Sequence, residues 1–187
     1  MKRVIASIAV GALLSVASVW LLTEYGRSTA QTWATITIVF SILAGLIGRG
    51  IQLSRTPALH EHEGDAQALR YLYRLIDADQ LQLDDSALPG LLDAAQHTGF
   101  TGLNITFPCK QAILPLLDEL SDEARGIGAV NTVVLKDGKR VGHNTDCLGF
   151  AEGLRRGLPG VARQRVVQMG AGGAGAAVAH ALLSDGV

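Results

Sequence analysis

The feature that most constrains the fold is an alternation of strand-like and helix-like segments from residue 42 onward. Short apolar runs such as Ile42–Ile47 and Tyr71–Ile76 indicate strands, and the amphipathic stretch Leu88–His97 indicates a helix that ends at Gly99. Strands that alternate with helices predict an α/β fold with a mainly parallel sheet flanked by helices. Further strands are predicted over 102–106, 129–135, 140–143 and 165–169, and further helices over 56–68, 108–117, 121–125, 149–156 and an alanine-rich stretch that ends at residue 183.

Two apolar runs precede this pattern and supply most of the positive mean hydropathy of +0.27. Val4–Leu22 is nearly unbroken, follows Lys2 and Arg3, and is long enough to span a bilayer. We expect a membrane helix here. A cleaved signal peptide, or a soluble buried helix or misjoined leader, is the alternative.

The second apolar run, Trp33–Gly48, supports two interpretations that exclude each other. As a membrane helix it would return the chain across the bilayer and leave basic residues on the cytoplasmic side at both ends. As a soluble segment it provides the buried strand Ile42–Ile47. If that strand forms, only Trp33–Ser41 remain, too few residues to span.

Composition excludes some partners. The 187 residues suffice for one to two domains, and a formal net charge of −1 gives no electrostatic case for nucleic acid or an anionic membrane surface. Cys109 and Cys147 form no disulfide framework, so a reducing compartment fits best, and we expect both to be buried or incidental.

A glycine-rich motif, Gly170-Ala171-Gly172-Gly173-Ala174-Gly175, follows a predicted strand and opens the alanine-rich helix. In that context glycines let the backbone approach a pyrophosphate at a helix N-terminus, so the motif predicts a dinucleotide cofactor. A plain glycine-rich turn is the alternative. The acidic residue that would bind the ribose is expected about 20 residues further on, beyond Val187.

Polar side chains cluster in Gly102–Lys110. Asn104 and Thr106 are two apart on a predicted strand, so they share a face. Lys110 falls in the first turn of a helix opened by Pro108. The positive end of a helix disfavours the ammonium form, which suits such a lysine to proton transfer near neutral pH. A solvated surface lysine is the alternative.

Two hydroxyls, from Ser54 and Thr56, lie at the predicted start of another helix, with Thr56 at the N-cap and Pro57 at the first helical position. Unpaired N–H groups and hydroxyls at such a start can hold a carboxylate. Simple capping by Thr56 is the alternative.

Asp137-Gly138 predicts a hairpin turn between the strands 129–135 and 140–143. Asn131 and Asp146 lie near opposite ends of these paired strands. If Asp146 lies near Lys110, it would hold the lysine and take part in its proton transfer. The alternative is that Asp146 only caps a turn.

A metal site is not expected. His60 and His62 would point to different faces of a helix and lack the spacing of a zinc motif, so His60-Glu61-His62-Glu63 indicates an exposed polar face.

In this order and at these spacings, the motifs resemble shikimate dehydrogenase over roughly Leu43 to Val187. The resemblance implies that Lys110 and Asp146 form the catalytic pair. It further implies carboxylate binding by Ser54 and Thr56, binding of the ring hydroxyls by Asn104, Thr106, Asn131 and Asp146, and pyrophosphate binding by Gly170, Ala171, Gly172, Gly173, Ala174 and Gly175.

The implied reaction is the reversible oxidation of a ring hydroxyl of shikimate or quinate, in the pathway to aromatic amino acids or in quinate use. The cofactor would be NADP or NAD. Leu53-Ser54-Arg55-Thr56-Pro57 is similar to the quinate/shikimate branch, which favours NAD. A membrane-tethered ligand-binding module and an inactive gene fragment are the alternatives from other classes.

The resulting organisation has three parts: an apolar leader over 1–41, a substrate-binding and catalytic domain over 42–147, and a linker helix with the start of a Rossmann domain over 148–187. We expect a cytoplasmic catalytic portion, with membrane contact through residues 4–48. We also expect this chain alone to bind substrate weakly and to turn over little. No oligomeric state is indicated.

Overall fold

The computed structural model describes residues 41–162 and 165–186. Its strands are β1 (Ser41–Gly48), β2 (Arg70–Asp77), β3 (Gly102–Ile105), β4 (Glu119–Leu120), β5 (Thr132–Lys136) and β6 (Lys139–His143). Its helices are α1 (Thr56–Ala66), α2 (Leu88–His97), α3 (Cys109–Ala112), α4 (Asp122–Ile127), α5 (Asp146–Gly157) and α6 (Gly173–Ser184), with 3₁₀ turns over Asp85–Ala87 and Leu114–Leu116.

The strands form one six-stranded sheet in the order β2-β1-β3-β5-β6-β4. β1 pairs in parallel with β2 and β3, and β4 pairs in parallel with β6, whereas β5 runs antiparallel to both its neighbours. The α/β class with a mostly parallel sheet flanked by helices is therefore confirmed. The predicted hairpin also forms, and Asp137 (φ 53°) and Gly138 (φ 78°) supply the two positive φ angles of a type I′ turn.

The strand β1 decides between the two interpretations of the second apolar run. Ser41–Gly48 pairs with a neighbour on each side, so these residues belong to a sheet. The membrane-helix interpretation, and the expected membrane contact, are therefore wrong for residues 41–48. The rest of the leader, including the run 4–22, lies outside the described residues. Among the residues that the structure does describe, no helix has the length and hydrophobicity that a membrane crossing requires.

Apolar side chains on the two faces of the sheet form separate clusters. On one face, α2 contributes Leu88 and Leu92 to a cluster with Ile47, Leu103 and Ile105. Burying each such side chain contributes roughly 1.5–3 kcal/mol. On the other face Ala44, Leu46 and Tyr73 pack with Ile51. Because successive strand residues point to opposite faces, Asn104 lies on this second face, between the buried Leu103 and Ile105.

The helix predicted over 108–117 is interrupted. α3 ends at Ala112 and a 3₁₀ turn follows at Leu114–Leu116. Pro115 explains the break, because proline lacks the N–H that a continuing helix needs and its ring collides with the preceding turn.

The strand predicted over 165–169 does not form. These residues run as an irregular segment, and Val167 and Met169 are 92% and 96% exposed. A strand requires a neighbour that pairs with its backbone, and no other described segment offers one here. The alanine-rich helix α6 does form, and it packs Ala177 and Ala181 against Ile127 of α4 and Cys147 of α5.

Candidate active site

A cavity of about 450 Å³ opens where β1 and β3 end and α1 begins. Parallel strands present their carboxyl ends at one edge of a sheet, which is where α/β proteins commonly bind small molecules. Each of the seven residues predicted to bind substrate lines this cavity: Ser54, Thr56, Asn104, Thr106, Lys110, Asn131 and Asp146. Sequence reasoning missed the other lining residues, which are Leu46, Arg49, Gly50, Ile51, Leu53 and Ile105.

The predicted catalytic pair is in direct contact. The Lys110 Nζ forms an ion pair with an Asp146 carboxylate oxygen, and the side chains are 16% and 34% exposed. α3 has only four residues, so the aspartate, rather than a long helix, dominates the surroundings of the ammonium group. Lys110 does lie in the first turn of α3, and the effect of that helix end on proton transfer stays a prediction.

Asp146 is held in place by its neighbours. It is the first residue of α5, and its backbone N–H donates to the Asn144 Oδ1 at 3.1 Å. Asn144 is only 3% exposed and donates to the backbone carbonyl of Ala129 at 2.9 Å. The buried amide therefore fixes the start of α5, and with it the carboxylate that faces Lys110.

Asn131 and Asp146 lie at opposite ends of the hairpin in the sequence, yet they are neighbours in space. The Asn131 Nδ2 donates to the Asp146 Oδ1 at 2.8 Å. In an antiparallel pair the start of one strand lies beside the end of the other, as the register Thr132 to His143 shows. The hairpin thus brings the amide to the carboxylate.

Asn104 and Thr106 line the cavity from the end of β3. The Asn104 Nδ2 donates to the Thr132 Oγ1 at 3.3 Å, and its Oδ1 accepts from the Tyr73 hydroxyl at 2.6 Å. Thr106 lies against β1, where a Cβ on Gly48 would approach the Thr106 Cγ2 to 2.3 Å. Only glycine allows this close approach of the two strand ends.

The hydroxyls of Ser54 and Thr56, at the start of α1, are hydrogen-bonded to each other. The Ser54 Oγ accepts from the Thr56 backbone N–H at 3.2 Å and donates to the Thr56 Oγ1 at 2.9 Å. The prediction that Thr56 is the N-cap is wrong, because Arg55 precedes the first helical residue and Ser54 supplies the hydrogen bond to the first N–H. The Thr56 hydroxyl is therefore left to donate into the cavity.

The loop that carries these hydroxyls is anchored by a residue that sequence reasoning missed. Asp77, at the end of β2, is 3% exposed and accepts from the backbone N–H groups of Gly50 and Ile51 and from the Gln52 side chain, each at 3.0 Å. These bonds, the one from Gln52 first, lower the pKa of Asp77. The sequence signal that pointed to Asp77 was the position of an aspartate directly after the predicted strand Tyr71–Ile76.

The glycine motif forms the loop before α6. Gly170 has φ +105°, and the Gln168 Nε2 donates to the carbonyls of Gly170 and Gly175 at 2.8 and 2.9 Å. A Cβ on Gly175 would lie 2.3 Å from the Gly170 oxygen, so the loop closes only with glycine there. A tight glycine loop that opens a helix fits a pyrophosphate group.

The glycine loop adjoins the cavity. A Cβ on Gly173, the first residue of α6, would lie 3.0 Å from the Lys110 Cβ. The loop that would hold a dinucleotide is therefore packed against the lysine that the motifs predict to be catalytic.

The histidine and cysteine candidates do not line the cavity. His60 is not on a purely exposed face, because its ring stacks on Tyr73 with centroids 4.8 Å apart. Cys109 and Cys147 are buried free thiols, and burial raises the pKa of both. Within residues 41–162 and 165–186, no three His, Cys, Asp or Glu side chains group as metal ligands do.

These observations define a class of protein first: an α/β protein with a polar small-molecule pocket at the carboxyl edge of its sheet. Comparison with known proteins narrows the class. A family model described as the shikimate dehydrogenase substrate binding domain matches residues 46–133. Residues 46–133 are therefore similar to the substrate binding domain of shikimate dehydrogenases.

Individual relatives agree with this assignment. The chain is 60% identical to a shikimate dehydrogenase (NADP(+)) of Streptomyces avermitilis over 78% of its own length and 50% of the relative's. It is 58% identical to a quinate/shikimate dehydrogenase (NAD(+)) of Corynebacterium efficiens over 79% of its length and 52% of the relative's. The chain therefore spans about half the length of the curated relatives it matches.

Solved structures show the same architecture. A quinate dehydrogenase from Corynebacterium glutamicum in complex with NAD matches with a TM-score of 0.71 at 55% identity, over 79% of this chain and 52% of that one. A shikimate 5-dehydrogenase from Thermus thermophilus in complex with shikimate matches with a TM-score of 0.70 at 38% identity, over 78% and 54%.

Proposed function

We propose that this chain provides the substrate site of a shikimate/quinate dehydrogenase, which oxidises a ring hydroxyl of shikimate or quinate reversibly to a ketone with NADP or NAD. The observation that carries the proposal is the ion pair between Lys110 and Asp146 in a cavity that also contains the hydroxyls of Ser54 and Thr56. Relatives named for both substrates and for both cofactors support it.

The cavity suits a hydroxylated ring carboxylate. Ser54 and Thr56, at the start of α1, would bind the carboxylate through hydroxyl and helix N–H donors. Asn104, Thr106 and Asn131 would bind the ring hydroxyls. This division places the charged group of the ligand at one wall of the cavity and its reacting hydroxyl at the Lys110–Asp146 pair.

Lys110 would transfer the proton. In its neutral form the amine accepts the proton of the ring hydroxyl as the carbon–oxygen bond becomes a carbonyl, and in the reverse direction the ammonium returns that proton. Asp146, held by Asn131 and Asn144, would orient the Lys110 side chain toward that hydroxyl. A nicotinamide cofactor, when bound, supplies the hydride acceptor, and residues 170–175 would hold its pyrophosphate.

We also propose the division of the chain into a substrate domain over 42–147 and the start of a nucleotide-binding domain over 148–187. The family model ends at residue 133, inside the proposed substrate domain, which supports the first part. The glycine loop followed by α6 supports the second.

Thermal unfolding with added ligand tests the proposal. Shikimate or quinate should raise the midpoint of unfolding, because a ligand that binds only the folded state stabilises it. Cyclohexanecarboxylate, which lacks the ring hydroxyls, should have a much smaller effect. The Ser54→Ala variant should lose most of the shift. Equal shifts from the hydroxylated and unhydroxylated acids would contradict the proposal.

A second candidate is a binding module without redox activity. The segment 165–169 before the glycine loop favours it, because this segment pairs with no described strand, whereas a Rossmann fold holds a dinucleotide beside a paired strand. NAD or NADP added together with shikimate distinguishes the two. The dehydrogenase proposal predicts a further rise in the midpoint, whereas the binding module predicts a response to shikimate alone.

A further inference from the structure

Tyr73 contacts the site from two strands away. It lies on β2, is only 7% exposed, and its hydroxyl donates to the Asn104 Oδ1 on β3 at 2.6 Å. β1 separates the two strands, and the register pairs Ala44 with Tyr73 and Leu46 with Asn104. Tyr73 and Asn104 therefore lie on the same face of the sheet, and the hydrogen bond joins them across β1.

The direction of the Tyr73–Asn104 hydrogen bond follows from a chain of hydrogen bonds that runs from Tyr73 through Asn104, Thr132 and Asn131 to the Thr145 backbone. The backbone N–H of Thr145 can only donate, and it does so to the Asn131 Oδ1 at 3.0 Å, which identifies that atom as an oxygen. The Thr132 hydroxyl lies 3.0 Å from the same oxygen, so it must donate to it. Thr132 then has no second hydrogen and can only accept from Asn104.

The orientation of the Asn104 amide is fixed as a result. Its Nδ2 faces Thr132 and its Oδ1 faces the Tyr73 hydroxyl. The Nδ2 carries two hydrogens, of which one is directed to Thr132. Since Asn104 lines the cavity, the second hydrogen is available to an acceptor atom of a ligand.

Tyr73 also contacts α1. The His60 ring stacks on the Tyr73 ring at an interplanar angle of 17°, and His60 belongs to the helix that begins beside Ser54. The same helix thus carries the hydroxyl pair at its start and the ring that covers Tyr73 one turn later.

We propose that Tyr73 is a positioning residue for the ligand's ring hydroxyls: it holds the Asn104 amide with an N–H donor directed into the cavity, so that Asn104 binds a ring oxygen as an acceptor. The inference rests on the proposed function, because the ligand is taken to be shikimate or quinate. Without the phenol, the amide loses the partner that fixes its Oδ1 and can rotate or flip.

Tyr73→Phe removes only the hydroxyl and leaves the stacked ring. Tyr71→Phe is the matched control, since Tyr71 is two residues earlier on the same face of β2, also lies near His60, and makes no side-chain hydrogen bond among the described residues. Calorimetric titration with shikimate or quinate should show the dissociation constant raised roughly three- to tenfold by Tyr73→Phe and unchanged by Tyr71→Phe.

A second readout does not depend on the ligand. In ¹⁵N-correlated NMR spectra of the ligand-free chain, Tyr73→Phe should move the side-chain amide signals of Asn104, while Tyr71→Phe leaves them in place. A purely structural role would instead move backbone signals along β2 without a selective change at Asn104.

Equal affinity of wild type and Tyr73→Phe would overturn the inference, and so would unchanged Asn104 amide signals. If wild type binds neither ligand, the proposed function is wrong. In that case the Asn104 signals alone decide whether Tyr73 orients the amide.

Discussion

Asp77 is the residue that anchors the entrance loop of the cavity. Its carboxylate accepts hydrogen bonds from Gln52 and from the backbone of Gly50, Ile51 and Asp79, and these lower its pKa below the ordinary value of 3.8. A carboxyl group whose pKa is lower in the folded than in the unfolded state stabilises the fold above its ordinary pKa. That stabilisation is lost as the pH falls through the folded-state pKa.

Replacing Asp77 by Asn should therefore lower the free energy of unfolding at neutral pH, because an NH₂ group would face backbone donors. The difference from wild type should shrink as the pH falls from about 4, the ordinary pKa of an aspartate, through the lower folded-state pKa, where the native carboxyl becomes protonated. Urea unfolding across a pH series measures this. Asp137→Asn, an equal change of charge in the exposed hairpin turn, is the control. A difference that grows toward low pH would refute the assignment.

Residues of the site could be predicted where the signal is local. Ser54 and Thr56 lie at the start of a helix, and Asn104, Thr106 and Lys110 lie along one strand, the turn after it and the first turn of the next helix. Tyr73 carries no such local signal, and the position of Asp77 at the end of a predicted strand does not identify its partners. Their partners, Asn104 and the loop at Gly50–Gln52, are 31 and 25–27 residues distant in sequence, and only the sheet order brings them together.

Among the elements, β1 depends on a glycine where it meets the site. A side chain at Gly48 would lie 2.3 Å from the Thr106 Cγ2 and 2.9 Å from the Phe107 carbonyl oxygen. The backbone oxygen cannot give way as a flexible side chain would, so the strand ends would be forced apart.

Gly48→Ala is accordingly expected to cost about 1–3 kcal/mol of unfolding free energy, as overpacking typically does. Gly90→Ala in α2 is the matched control, because nothing lies within 4 Å of its added Cβ and alanine favours helix over glycine by roughly 0.5–1 kcal/mol. Urea unfolding should show opposite signs for the two variants. Equal effects would mean that the close approach at Gly48 does not constrain the fold.

Elements that the sequence pattern predicted well are those that need few distant partners. α2 and the β5–β6 hairpin form where periodicity and turn residues indicated. The expected strand over 165–169 failed because a strand is stable only when another strand pairs with it. The same rule explains β1, whose apolar sequence also suits a membrane helix but finds β2 and β3 beside it.

At the scale of the whole molecule, the pocket side and the glycine-loop side should differ in local stability. β1 is paired on both edges, whereas residues 165–169 pair with no strand in the described part of the chain and are largely exposed. Amide hydrogen exchange should therefore be slow in β1 and fast in 165–169, since exchange follows the free energy of local opening. Slow exchange in 165–169 would show that the segment is paired in solution, contrary to the described fold.

The proposed function requires that one ligand lie between two walls of the cavity. A crystal structure of the chain with shikimate tests it most directly. We predict the carboxylate within hydrogen-bonding distance of the Ser54 and Thr56 hydroxyls, a ring hydroxyl at the Lys110 Nζ and Asp146, and another near the Asn104 Nδ2. A ligand with its carboxylate at Lys110, or one bound outside this cavity, would contradict the account.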